Sequence, residues 1–163
     1  MSEIENRFMK AAIREAAEGI RNREGGPFGS VVVSSDAIVG FGHNRVVSSN
    51  DPSAHAEIVA IRAAGRALGR FDLSDCSIYS TCEPCPMCRS AIHWARIHEV
   101  VYGCSRYDAS TIGFDDELLY RILADEEVPA RFSSRVAFCD ECLEIFREYE
   151  SMADKTSYTL RLK

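Results

Sequence analysis

Three cysteines recur at three-residue spacing in the stretch YSTCEPCPMCRSAIHWAR: Cys82, Cys85 and Cys88. Thiols so arranged can close disulfides, hold an iron–sulfur cluster, complete a structural zinc site or grip a catalytic zinc. The partners available elsewhere in the chain separate these chemistries. Seven cysteines is an odd number, and the N-terminal stretch MSEIENRFMKAAIREAAEGI is acidic and amphipathic, unlike a secretory leader. The expectation is therefore a cytoplasmic protein with reduced thiols, not a disulfide framework. An iron–sulfur cluster usually takes four thiolates, and the remaining pair, Cys139 and Cys142 in CDEC, lies far along the chain.

The companion stretch is NDPSAHAEIVAIRAAG, which places His55 two residues before Glu57. Both are expected in the first turn of one helix, and Cys85 and Cys88 in the first turn of another. Residues three apart lie on one side of a helix. One imidazole and two thiolates make three zinc ligands and leave the fourth tetrahedral position to water. Helix N-termini carry partial positive charge, which favours thiolate and hydroxide there. Blander readings exist for each residue. His55 can be a helix cap, and Glu57 a first-turn carboxylate that complements the helix dipole. Cys82 reads as a buried small hydrophobe at a strand end, Cys139 and Cys142 as packing at a helix start, and Cys76 and Cys104 as strand-edge residues without chemistry.

These residues must be positioned by regular elements. Over residues 5–21, Phe8, Ala12, Ile13, Ala16 and Ile20 recur at helical spacing. GGPFG breaks that helix and leads into SVVV, a β-branched run that predicts a strand. The polar turn SSDA separates it from a second strand, IVGFG, so residues 28–42 predict a hairpin. After the loop SSNDPS, Ser53 or Asp51 is expected to cap a helix over about 54–68, ended by Gly69. CSIYS predicts a third strand, residues 86–96 a helix with Pro86 in its first turn, and EVVYG a fourth strand. DELLYRILAD and DECLEIFREYESMA predict two further helices around a short strand, RVAF. SYTLRL predicts a last short strand. Helices that alternate with strands favour a mixed sheet flanked by helices on both faces, a three-layer α/β/α sandwich. The segment from about 77 to 104 suits a parallel connection.

At 163 residues with 46% hydrophobic and 27% charged content, one soluble domain spanning 1–163 is expected, and no apolar run is long enough to cross a membrane. The net charge of −6 and the scattered basic residues, as in GRALGR and RNRE, argue against a nucleic-acid partner.

The joint occurrence of H-x-E and P-C-x-x-C is the pattern of zinc deaminases, in which the Glu is an acid/base and not a ligand. With GGPFG, SNDPSAHAE, TCEPCPMC, HWAR and GFDD in order over residues 25–116, the chain resembles the cytidine-deaminase superfamily, and within it the guanine deaminase group. The resemblance implies one Zn²⁺ per subunit on His55, Cys85 and Cys88, a catalytic water, and Glu57 as proton shuttle. It implies that Phe28 and Trp94 pack on a purine ring, that Asn44 bonds its polar edge and that Ala56 joins the substrate contacts. Asp116 of GFDD would relay protons to the departing amine, whereas the residues alone also allow Asp115 or Asp116 to cap the next helix. The implied reaction is guanine to xanthine plus ammonia. The same chemistry on isocytosine, a pterin, an aminotriazine such as ammeline or a purine nucleoside, or on transfer-RNA adenosine, stays open. The group is also similar in forming homodimers in which a C-terminal segment, here about 140–163, swaps between subunits and closes the partner's pocket. This chain departs from the group in ending YTLRLK, with Tyr158 short of the terminus.

Overall fold

The computed structural model describes residues 3–124 and 135–154. The chain divides into two compact units, Met1–Asp125 and Glu126–Lys163.

In the first unit the β-branched run forms β1, Gly29–Ser34, paired antiparallel with β2, Ala37–His43. Ser35 and Asp36 join them with φ of 47° and 62°. Two left-handed residues in a row give the turn twist that a two-residue hairpin needs. β3, Cys76–Cys82, pairs antiparallel with β1 and parallel with β4, Glu99–Cys104, giving the order β2-β1-β3-β4.

Side chains alternate across this sheet, so each face buries a different helix set. Val31, Val33 and Tyr79 pack with Phe8, Ala11 and Ala12 of α1, Glu3–Arg21. Val32 and Ile78 face the other way, with Ala60 and Ala64 of α3, Ala56–Leu68, and Ile92 of α4, Pro86–Trp94. α4 makes the parallel connection between β3 and β4. The expected α/β/α layering is thus present. The face of α1 is narrower than expected. Phe8, Ala12 and Ala16 are buried, but Ile13 and Ile20 are exposed, since they lie about 140° and 120° around the helix from Phe8.

Gly40 and Gly42 let β2 run against the backbone of α3. A Cβ on Gly42 would sit 2.4 Å from the Ala56 carbonyl oxygen, and one on Gly40 would sit 2.4 Å from that of Ala60. Overpacking of this kind costs roughly 1–3 kcal/mol. Gly42→Ala should therefore lower Tm by several degrees in a thermal melt, at about 2–4 °C per kcal/mol for a chain of this size.

Four local expectations change. α3 starts two residues later than expected and takes His55 as its N-cap residue, while Asp51 Oδ1 accepts from the backbone N–H and hydroxyl of Ser53 and so closes the preceding turn. Two short helices, α2 (Val46–Ser49) and α5 (Arg106–Thr111), fall where loops were expected. α6, Glu117–Leu123, is as expected. In the second unit, Arg135–Phe138 is not a strand: Phe138 takes φ 55°, which ends an extended run and opens α7, Cys139–Ser151. Cys139 and Cys142 are exposed at the start of α7 and are not packed there. The expected strand SYTLRL lies outside the described residues.

Candidate active site

The two helix starts that carry the motifs converge. His55 caps α3 and Cys85 caps α4, both in extended backbone and without a side-chain capping bond. Their polar atoms meet one another instead. His55 Nδ1 lies 3.6 Å from Cys85 Sγ and 3.6 Å from Cys88 Sγ, and the three donor atoms lie within 4.8 Å of one another. Tetrahedral zinc, with Zn–S of about 2.3 Å and Zn–N of about 2.0–2.1 Å, sets such nitrogen and sulfur atoms about 3.6 Å apart. The donor set and its spacing fit the ion.

Electrostatics agree. Cys85 is pulled down to about 4 by the Cys88 thiol donating to it and by His55, so it is a thiolate at neutral pH. Cys88, as that donor and buried beside Glu57, is pushed up. His55 is raised by its bond to Cys85. A dication at this point would supply the charge that lets both sulfurs ionise.

Glu57 is 6% exposed, and its carboxyl is raised above the usual range, chiefly by burial. Its Oε1 accepts from the Ser80 hydroxyl at 3.1 Å, and its Oε2 lies 3.4 Å from Cys88 Sγ. A carboxyl at the edge of the donor triangle is placed to exchange protons with a ligand there. Ser80 was not anticipated. Its signal is a hydroxyl at an inward position of β3, on the face shared with Ile78 and Cys82, where an apolar residue is the default. Cys82 is buried as expected.

A cleft of about 680 Å³ opens over these groups. His55, Glu57 and Cys85 form its polar floor, and Asp116 lies in the same lining. Phe28 and Phe114 line it as an edge-to-face pair with centroids 4.9 Å apart. Asn44, 6% exposed, lines it too: its backbone N–H donates to the Phe28 carbonyl at 3.0 Å, and its Oδ1 accepts from Val46 N–H at 3.2 Å. Asn44 Nδ2 has no protein partner among the described residues.

The two carboxylates of GFDD divide their work. Asp115 Oδ1 accepts from the Glu117 N–H at 2.9 Å, whereas Asp116 stands at the N-cap of α6 without a side-chain cap bond. Asp116 is raised by partial burial and then by the negative charge of Cys85, against the lowering effect of Arg106. Arg106 and Phe114, both in the lining, were also not anticipated. Trp94 lies outside the lining and is 60% exposed, about 120° around α4 from Cys88. Ala56 is fully buried, with its carbonyl against Gly42, and also lies outside the lining.

A mixed sheet whose flanking helices offer one His, two Cys and an adjacent buried Glu defines a zinc-dependent hydrolytic deaminase. Residues 2–104 match the family model for the cytidine and deoxycytidylate deaminase zinc-binding region, and the chain belongs to that family. It is 42% identical to the guanine deaminase of Bacillus subtilis strain 168 over 93% of this chain and 97% of that protein. The crystal structure of guanine deaminase from Bacillus subtilis superposes with a TM-score of 0.85 at 40% identity, covering 98% of this chain and all of that one. A tRNA-specific adenosine deaminase from Streptococcus pyogenes serotype M1 is 36% identical over 87% of this chain and 81% of its own length. A structure of guanine deaminase from Nitrosomonas europaea matches 68% of this chain and 64% of that one, with a TM-score of 0.64 at 32% identity.

Proposed function

We propose that this deaminase acts on free guanine, converting it with water to xanthine and ammonia. The observation that carries the reading is the second carboxylate. Asp116 leaves the capping bond to Asp115 and lines the same cleft as Glu57. Two carboxyls over one cleft let one serve the incoming water and the other the departing amine.

Phe28 and Phe114 give a flat heterocycle apolar surface on which to pack, and Asn44 offers its Nδ2 amine to an acceptor on the base's edge. Zinc supplies, when bound by His55, Cys85 and Cys88, the Lewis acidity that makes water a nucleophile at neutral pH. Glu57 Oε2 takes the proton released as the new C–O bond forms and hands it to the neighbouring ring nitrogen. Ser80 holds Oε1 meanwhile, which keeps Oε2 turned towards the reacting atoms. Asp116 carries the second proton of the added water to the exocyclic amine, so that the C–N bond breaks to release ammonia and the hydroxyl becomes the new carbonyl.

The remaining readings belong to the same proposal. The C-terminal segment, about 140–163, is proposed to swap between the subunits of a homodimer, a role supported by exposed Ile145 and Phe146 on α7. Tyr158 lies outside the described residues. Trp94 and Ala56 stay as proposed substrate contacts, reached through that assembly or through backbone. All seven cysteines are free, which supports a cytoplasmic setting, and no described helix is long and apolar enough to cross a membrane.

The test is ammonia release by the purified protein across guanine, guanosine, isocytosine, a pterin and ammeline. Guanine should be turned over and guanosine refused, because a cleft closed over the base by the proposed swapped segment would leave no room for ribose. Turnover of neither overturns the purine reading. With a net charge of −6, transfer RNA should not bind even at low salt. Salt-sensitive binding there, with inosine formed, would favour the adenosine-editing activity named for the Streptococcus relative.

A further inference from the structure

One buried imidazole sits outside the reaction chemistry. His43 closes β2, one residue before Asn44, and is 3% exposed. Both of its ring nitrogens meet carboxylates: Nδ1 lies 3.1 Å from Glu15 Oε2 on α1, and Nε2 lies 2.5 Å from Glu24 Oε2. Arg45 Nε stands 3.5 Å from the same Glu24 oxygen. Arg45 Nε also stands 3.4 Å from His43 Nε2, so the ring joins two carboxylates and a guanidinium in one buried cluster. The ring also lies flush on α1: a Cβ on Gly19 would come within 2.9 Å of its Cδ2. No element of the deaminase chemistry needs this arrangement.

What it does hold is a wall of the cleft. Residues 22–28 form a loop without helix or strand, and Gly25, Gly26 and Phe28 of that loop line the cleft. At one end Glu24 is tied by its N–H to the Gly19 carbonyl and by its own carbonyl to Val47 and Ser48 N–H. At the other end the Phe28 carbonyl accepts from Asn44 N–H. Between these ends the backbone bends so closely on Asn44 that a Cβ on Gly25 would sit 2.1 Å from Asn44 Oδ1. The Glu24 carboxylate is the side-chain bond that joins this loop to the residue beside Asn44. Its acidity is strengthened chiefly by the bond from His43.

We infer that His43 is a positioning residue for the substrate base: by bridging Glu15 on α1 and Glu24 on the loop, it fixes Phe28 and Asn44 at the spacing a flat heterocycle requires. The inference rests on the reading of the cleft as a base pocket. Removing the bridge loosens the wall while leaving His55, Cys85, Cys88 and Glu57 in place. The cost then falls on binding of ground state and transition state alike, which raises KM and spares kcat.

The experiment compares the parent protein with His43→Leu, Glu24→Ala and Glu24→Gln. For each it measures zinc content, KM and kcat, and amide exchange at Phe28, Asn44, Val47 and Ser48. His43→Leu and Glu24→Ala should raise KM about tenfold with kcat changed less than about threefold. Zinc content should hold, and exchange should quicken at those four amides while α3 and α4 stay protected. Glu24→Gln, whose amide can donate to Nε2 or accept from it, should return KM close to the parent value. If His43→Leu does not fold, Glu24→Ala carries the test, because its side chain is partly exposed and can be lost without opening the core. Unchanged KM and exchange in Glu24→Ala overturn the inference, and so does a loss of zinc and kcat with KM unmoved. If the parent refuses guanine but deaminates another heterocycle, the guanine reading fails on that assay. KM for that other base, with the exchange data, then still decides the role of His43.

Discussion

Glu57→Gln should bind zinc as the parent does and lose turnover by about 10⁴-fold, the upper end of what a positioned acid/base contributes. The geometry separates the two roles cleanly. Zinc content depends on His55 Nδ1 and the two thiols, each 3.6 Å from that nitrogen, and none of these spacings involves Glu57. The amide of Gln can still accept from the Ser80 hydroxyl, so the substitution keeps the shape and the local packing. What it removes is a group able to gain and lose a proton, and the reaction calls on Glu57 for both. Burial raises this carboxyl and so brings it nearer the pH at which it must accept and return a proton. The check is kcat and KM for guanine alongside zinc content for both proteins. KM should move little and kcat should carry the loss, as expected when an interaction made only in the transition state is removed. Retained turnover would show that another group moves the proton and would discard the shuttle. Loss of zinc would show instead that Glu57 supports the metal.

Much of this centre was legible before any coordinates, for a local reason. His55 and Glu57 are two residues apart, and Cys85 and Cys88 are three apart, so each motif needs only its own helix start to be arranged. The sheet was legible where burial is two-sided, as in Val31–Val33, whose alternate members serve α1 and α3. Residues whose roles depend on pairing across the fold were not. Ser80 is an unremarked hydroxyl until β3 places it under α3. His43 looks like the end of a strand until α1 and the 22–28 loop bring it two carboxylates. Trp94, an aromatic beside a motif, reads as a ring contact; the turn of α4 sets it outside the cleft lining, so that role rests on the proposed assembly. α5, six residues long, is too short to show a helical period, and its stability comes from a capping box between Ser105 and Asp108.

Cys88→Ala should abolish both zinc retention and ammonia release. Cys88 is fully buried in the first turn of α4, and its sulfur touches each of the other participants: His55 Nδ1 at 3.6 Å, Glu57 Oε2 at 3.4 Å, and Cys85, to which it donates. Without it, one imidazole and one thiol remain, too few to hold the ion against dilution. The substitution removes one sulfur in exchange for a methyl, so the fold should survive, and a thermal melt separates metal loss from unfolding. The parent should lose stability on chelation, because an ion present at about 100 times its Kd adds about 2.7 kcal/mol to the folded state. At about 2–4 °C per kcal/mol this is a drop in Tm of roughly 5–11 °C. Cys88→Ala should melt near the chelated parent, with or without chelator. Cys82→Ala is the matching control: Cys82 Sγ donates to the Ser105 carbonyl, and that residue lies outside the donor triangle, so zinc should stay bound. If Cys82→Ala released the metal and Cys88→Ala kept it, the ligand set would be His55, Cys82 and Cys85, and the first turn of α4 would lose its part in the chemistry.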